Sequence, residues 1–218
     1  MRSTAVAPLL PLCALLAACG GAPPHLDARA YPGVVHTPGS YPGDFVARQH
    51  IEVQRGERRD GFDAVLQKRG DALVLVALTP YNSRAFVVEQ RGTRLTFTSS
   101  MRGELPFPPR FILLDIHRAL LAGLPRTGGA PLADGRHQAE VDGERVTERW
   151  SAAHLVERRY ERVDGRPAGA VVVRYGGAGL AADGTPTGDV TLTNGWLGYV
   201  LRVTTTERRI LPSAPPSP

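Results

Sequence analysis

A two-residue rhythm of apolar and polar side chains runs through most of this chain and limits its fold more than any other feature. Phe62, Ala64 and Leu66 alternate with Asp63 and Gln67, and Phe86 and Val88 with Ala85, Val87 and Glu89. Leu95 and Phe97 alternate with Arg94, Thr96 and Thr98; Val171, Val173 and Tyr175 surround Arg174; Leu201 and Val203 alternate with Arg202 and Thr204. Successive side chains of a strand point to opposite faces, so this pattern predicts antiparallel strands with one buried and one wet face. Ala72 to Leu78 is apolar on both faces, which predicts a central strand or one covered by another element. Turn signals such as Arg69-Gly70-Asp71, Pro80-Tyr81-Asn82, Asp142-Gly143, Asp164-Gly165 and Asn194-Gly195 separate the runs, because Gly, Asn and Asp tolerate positive φ. The spacing predicts about 10–11 strands.

One stretch breaks the rhythm. After the rigid apolar loop Leu105-Pro106-Phe107-Pro108-Pro109, residues 110–123 carry Phe111, Leu114, Ile116, Leu120 and Leu121 at helical spacings. Pro108 and Pro109 suit the start of such a helix and Gly123 its end. A long sheet with one apolar helix in mid-chain predicts a curved sheet wrapped around the helix. Either the helix plugs the sheet and closes the core, or sheet and helix bound a partly open apolar cavity.

The N-terminus fixes the expected compartment. Arg2 precedes an uncharged, Leu- and Ala-rich stretch from Ala5 to Ala18, shorter than the ~20 apolar residues a spanning helix needs. A short apolar core behind a basic start reads as a removable export signal, residues 1–18. Its end, Leu16-Ala17-Ala18-Cys19-Gly20, resembles the lipobox of bacterial lipoprotein precursors. That resemblance implies a covalent lipid on Cys19. Cys13 would leave with the signal, so Cys19 would have no intramolecular partner. Gly20, Gly21 and Ala22 include no Asp, which by the same resemblance implies the outer membrane rather than the inner one. Residues 19–43 are rich in Gly, Pro and Ala and read as the lipidated cysteine with a flexible tether; residues 44–211 read as a single domain, and 212–218 as a Pro/Ser-rich tail.

Basic residues exceed acidic ones by five, and all but Lys68 are arginines scattered among acids. No run of like charge marks a nucleic-acid-binding tail. The chemistry expected of an enzyme is not apparent. There is no H-E-x-x-H, no G-x-S-x-G, no P-loop and no G-x-G-x-x-G, and His25, His36, His50, His117, His137 and His154 show no metal-ligand spacing. His117 on the helix reads as a satisfied histidine. Asp115 sits in the apolar helix and needs a partner, for which Arg118 three residues on is the candidate. No catalytic residue, no metal and no cofactor beyond the lipid on Cys19 is expected.

The segment from Val65 to Pro80 with Arg84-Ala85-Phe86, the loop Leu105-Pro106-Phe107-Pro108-Pro109 with its helix, and Leu197-Gly198-Tyr199-Val200-Leu201 resemble a family of bacterial outer-membrane lipoproteins associated with aryl polyene biosynthesis clusters. That family in turn resembles the LolA and LolB lipoprotein carriers. The resemblance implies an incomplete, half-open antiparallel β-barrel around one or more helices, with acyl chains held in an apolar cavity. The expected lining is Leu73, Leu75, Phe86, Val88, Leu95, Phe97, Phe107, Phe111 and Leu114, each of which an ordinary core would also explain. The turn Thr79 to Ser83 is shorter than the protruding loop of LolB, and Tyr81 is the candidate for its exposed apolar residue. The implied role is a non-enzymatic, monomeric carrier or acceptor of lipids or lipoproteins at the periplasmic face of the outer membrane. Its partners would be outer-membrane lipid, an acyl-chain or lipoprotein cargo and a periplasmic carrier protein. The alternative is an assembly lipoprotein whose sheet binds another envelope protein.

Overall fold

The computed structural model describes residues 31–101, 108–125, 132–177 and 188–212. The strands are β1 (Asp44–Arg55), β2 (Arg58–Arg69), β3 (Ala72–Leu78), β4 (Arg84–Arg91) and β5 (Arg94–Ser99), followed by the helix α1 (Pro109–Ile116). Then come β6 (Gly135–Val141), β7 (Glu144–Ser151), β8 (His154–Arg162), β9 (Val171–Tyr175), β10 (Val190–Asn194) and β11 (Tyr199–Leu211). All eleven strands form one sheet in the order β5-β4-β3-β2-β1-β11-β10-β9-β8-β7-β6. Ten antiparallel pairings hold it, nine between strands consecutive in sequence and one, β1 with β11, joining the two ends of the domain. The outermost strands β5 and β6 are not paired with each other. The antiparallel strands are those the alternation predicts, and the mainly β, half-open sheet is the one the resemblance implies.

The alternation maps directly onto burial. Phe45, Ala47 and Ile51 of β1, Ala64 and Leu66 of β2, Leu73, Leu75 and Ala77 of β3, and Phe86 and Val88 of β4 all lie on one face and are buried. Val171, Val173 and Tyr175 of β9 and Val190 and Leu192 of β10 continue that face. At the predicted Asp142-Gly143 turn both residues have positive φ, 52° and 73°, the geometry a two-residue hairpin between twisted strands requires.

Contacts with the helix show that the sheet curls. His117 Nε2 donates to Gln90 Oε1 of β4 at 2.8 Å, while Tyr160 of β8 donates its hydroxyl to the carbonyl of Arg118, the next residue, at 3.0 Å. β4 and β8 are seven strand spacings apart in the sheet order. In a flat sheet that would be about 34 Å. Adjacent helix residues can reach both only if the sheet wraps around the helix. After Ile116 the helix widens: Ala122 N–H donates to the carbonyl of His117, five residues back, at 2.6 Å. Gly123, expected only to end the helix, has a second role. A Cβ there would lie 2.3 Å from Arg158 Nη2 and 2.4 Å from Glu148 Oε1, so the chain passes too close to a buried ion pair for any side chain.

Two expectations need correction. The tether does not extend to residue 43, because Tyr31 is 1% exposed and packs edge-on against Phe111 with ring centroids 4.8 Å apart. The composition of residues 31–43 is poor in core formers, but one aromatic ring supplies enough apolar surface to seat the segment. β3 is an interior strand, paired by β2 and β4, but it is third from the β5 edge rather than at the centre of the sheet. Its outer face is served by a row of cross-strand valines, Val65, Val76 and Val87, each half-buried. The export signal, Cys19, residues 102–107 with Leu105 and Phe107, and the tail beyond residue 212 lie outside the described residues.

Candidate functional site

The expected cavity lining divides in two. Leu73, Leu75, Val88, Phe111 and Leu114 are at most 3% exposed, and Phe86 is 7% exposed. They pack against one another as filled core, so in this structure α1 plugs the sheet where they lie. Leu95 and Phe97 on β5 are half-buried instead. Phe107 lies outside the described residues.

Leu95 and Phe97 belong to a wider band that the alternation contains without revealing. Val53 of β1, Phe62 of β2, Phe97 of β5 and Leu201 and Val203 of β11 are half-buried apolar side chains on the helix-facing side of the sheet, packed against the edge of the core. Register places them together: Ile51 faces Phe62 on one side and Val203 on the other, and Val53 faces Leu201. Phe62, Phe86 and Phe97 form a row of rings with centroids 5.9 and 6.0 Å apart. Ile112 and Ile116 are half-buried on α1, three residues before and one after Asp115, whose carboxylate bonds Tyr199 on the same face of β11 as Leu201 and Val203. β5 and β11 are five strand spacings apart, about 24 Å along the curled sheet, with buried Phe86 and Ala77 between the half-buried side chains of β5 and β2. The lining expected from the sequence did not include Val53, Phe62, Ile112, Ile116, Leu201 or Val203, because which apolar residues stay open depends on how far the short helix reaches across the sheet.

This band ends at a rim where several elements meet. The β3–β4 turn carries Tyr81, 92% exposed. Thr79 holds the turn rigid: its Oγ1 accepts from Tyr81 N at 3.3 Å and Ser83 N at 3.2 Å, and its N–H donates to the Ser83 carbonyl at 2.8 Å. Asp63, next to Phe62, faces Leu78 at the foot of the same turn.

Behind the helix the interior is polar. Arg158 and Glu148, both 0% exposed, pair at 2.8 Å. Glu148 also accepts from Trp150 Nε1 at 2.9 Å and Leu124 N at 3.2 Å, and Arg158 Nη1 donates to the Arg118 carbonyl at 3.1 Å. Burial alone would raise the Glu148 carboxyl, but Arg158 and these N–H groups outweigh it and hold it below its usual range. Arg118 does not pair with Asp115 as expected. Its Nη2 donates to Glu144 at 2.6 Å and to the Pro32 carbonyl at 2.6 Å, and its guanidinium lies within 5.6 Å of the ring centroids of Tyr31, Trp196 and Tyr160. Asp115 instead accepts from the hydroxyls of Tyr31 and Tyr199, the latter at 2.6 Å. Burial raises its carboxyl to about 6 against the opposing pull of these hydroxyls and Arg118. His117, 1% exposed, is pushed down to about 4, first by burial and further by the Arg118 guanidinium nearby.

The segment after Tyr31 is strapped to this core. Arg110 donates to the carbonyls of Tyr31 at 3.0 Å and Gly33 at 2.6 Å, and His36 Nε2 contacts Asp142 at 2.5 Å. A cavity of about 170 Å³ lies under the strap, lined among others by His36, Tyr41, His117, Arg118, Glu144 and Tyr160. Its lining mixes these polar groups with Val34, Leu114, Val141 and Val146, and it is smaller than the ~300 Å³ at which ligand pockets begin. Among the described residues no three His, Cys, Asp or Glu side chains are placed to hold a metal ion. No described helix is long and apolar enough to cross a membrane, which leaves strand-built spans unaddressed.

Solved structures are similar at low identity, three of them as follows. A domain from Vibrio parahaemolyticus named for outer membrane lipoprotein sorting is 12% identical with a TM-score of 0.49, over 80% of this chain and 88% of that one. A LolA superfamily protein from Nitrosomonas europaea is 13% identical with a TM-score of 0.40, over 82% and 90%. A DUF1329 family protein from Desulfovibrio piger is 12% identical with a TM-score of 0.33, over 78% and 86%. No curated protein matches the sequence. Residues 46–207, nearly the whole of the sheet, match the family model described as "Protein of unknown function (DUF3261)", and the chain belongs to that family.

Proposed function

We propose that this protein is a lipid-anchored envelope protein that takes up acyl chains along the half-open apolar band of its sheet. It would act as a carrier or acceptor of lipids or lipoproteins at the periplasmic face of the outer membrane, with no catalytic chemistry. The observation that carries this reading is the band itself, about 24 Å from Phe97 to Leu201. An acyl chain spans half of a ~30 Å hydrocarbon core, so the band is long enough to hold one. Each methylene moved from water onto apolar surface gains about 0.8 kcal/mol, so affinity needs no further chemistry. The filled part of the core gives the band a rigid floor. Tyr81, exposed on its rigid turn at the rim, has the amphipathic ring that settles at membrane–water interfaces, and Cys19 supplies the anchor.

Native mass spectrometry of the full chain purified from a bacterial envelope is expected to show co-purifying lipid that a fluorescent acyl probe displaces. Phe62→Glu should weaken probe binding at least tenfold with little loss of melting temperature, since Phe62 is half-buried and its neighbours remain packed. Tyr81→Ser should leave probe affinity unchanged and slow transfer of the probe to vesicles. A chain that carries no lipid and excludes the probe would sink the carrier reading. It would favour the assembly lipoprotein, for which the filled packing of Leu73, Leu75, Val88, Phe111 and Leu114 already speaks.

A further inference from the structure

The two edges of the open sheet differ. β6 is interrupted by charge at Arg136 and Glu140 and by His137, the kind of side chains that blunt an edge against pairing. β5 reads Arg94-Leu95-Thr96-Phe97-Thr98-Ser99, with one charge at its end, no proline and no register break against β4. Every residue of β5 is exposed or half-buried, and among the described residues no strand pairs with its outer side. A straight edge of β-branched and aromatic residues is a template for another strand.

We propose that the occupant is β5 of a second copy of this chain, paired antiparallel about a two-fold axis at Thr96. The strand's own sequence selects both partner and register. Centred on Thr96, Leu95 of each copy faces Phe97 of the other, so two apolar cross-strand pairs form on the helix-facing side. On the outer side Arg94 faces Thr98, and no like charges meet. The lone Arg94–Arg91 opposition within each chain is then flanked by neutral threonine. The ladder Leu75, Val88, Phe97 of one copy continues into Leu95 and Gln90 of the other, so the apolar surface of the two sheets becomes continuous. The dimer replaces the monomer expected from the sequence. Five residues of each β5, 94 to 98, pair across the axis and make a small interface, below the standard size for stable complexes, so the association is weak and reversible and is best trapped covalently.

The test is oxidative cross-linking of the full chain carrying Thr96→Cys or Thr98→Cys, with the unmodified chain as the control for Cys13 and Cys19. Both positions are exposed, so neither change burdens the core. In the proposed pairing the two residues 96 face each other with Cα atoms about 4.5–5.5 Å apart, within disulfide reach. The two residues 98 are offset by four positions along the strands, about 13 Å, and cannot bond. A disulfide dimer is expected for Thr96→Cys, with Thr98→Cys no more cross-linked than the control. Equal cross-linking at both positions, or none above control at Thr96→Cys, would overturn the proposal.

Discussion

Arg158→Met is expected to lower the unfolding free energy by about 3–5 kcal/mol, because it leaves the Glu148 carboxylate charged in a site that water does not reach. Both partners are 0% exposed, and the Arg158 guanidinium also caps the carbonyl of Arg118, where the helix turns wide. The remaining donors on Glu148, from Trp150 and Leu124, are too few to neutralise it. Arg158→Met combined with Glu148→Leu should recover part of the loss, since a buried ion pair exchanged for apolar side chains of similar volume is often near neutral. Recovery stays incomplete because the Trp150 and Leu124 N–H groups then lose their acceptor. Urea unfolding of the three variants at neutral pH, read as a double-mutant cycle, checks this. A cost below about 1 kcal/mol for Arg158→Met, the range of exposed pairs, would show that solvent reaches the site.

Asp115 and His117 are expected to give the protein two opposed pH dependences in one window. Burial first, against the tyrosine hydroxyls, raises Asp115 from its ordinary value near 4 to about 6. A raised acid binds its proton more tightly in the folded state, so its contribution is complete below pH ~4 and is lost as pH rises through 6. Two pKa units correspond to about 3 kcal/mol. His117 is lowered by burial from 6.5 to about 4, so its contribution is present above pH 6.5 and is lost as pH falls through 4. The two slopes have opposite sign and similar size, and they largely cancel in the native chain. Asp115→Asn removes one of them. The stability difference between Asp115→Asn and the native chain should therefore shift in favour of the variant by about 3 kcal/mol between pH 4 and 6.5. His117→Gln should shift by a similar amount in the opposite direction. Both are read from urea unfolding at several pH values. The slope is the test rather than the level, because replacing the Asp115 carboxylate with an amide also deprives Tyr31 or Tyr199 of an acceptor. Flat difference curves would mean that neither group titrates from a buried state.

The strands could be read from the sequence because alternation and Gly- or Asn-containing turns are local, and eleven strands formed within the range they predict. The helix could be read as well, since its apolar spacing and its two prolines are neighbours. The partner of Asp115 could not. Arg118 has the right spacing on an ideal helix, but the turn widens after Ile116, and Arg118 reaches Glu144, 26 residues away, while Tyr31 and Tyr199 approach Asp115 from 84 residues on either side. Lys68 gave no signal of its role either: this one lysine is 2% exposed and donates to the Gly43 carbonyl at 2.7 Å and to Asp44 at 3.2 Å.

For the candidate site the division is the same. Period-2 patterning determined which side chains share the inner face, because it follows from the geometry of an extended chain. Whether a given inner side chain becomes sealed core, like Leu73, or open band, like Phe62, was decided by tertiary structure alone. One short helix cannot cover eleven curled strands, and which ones it covers depends on the pairing of β1 with β11, set by contacts about 150 residues apart.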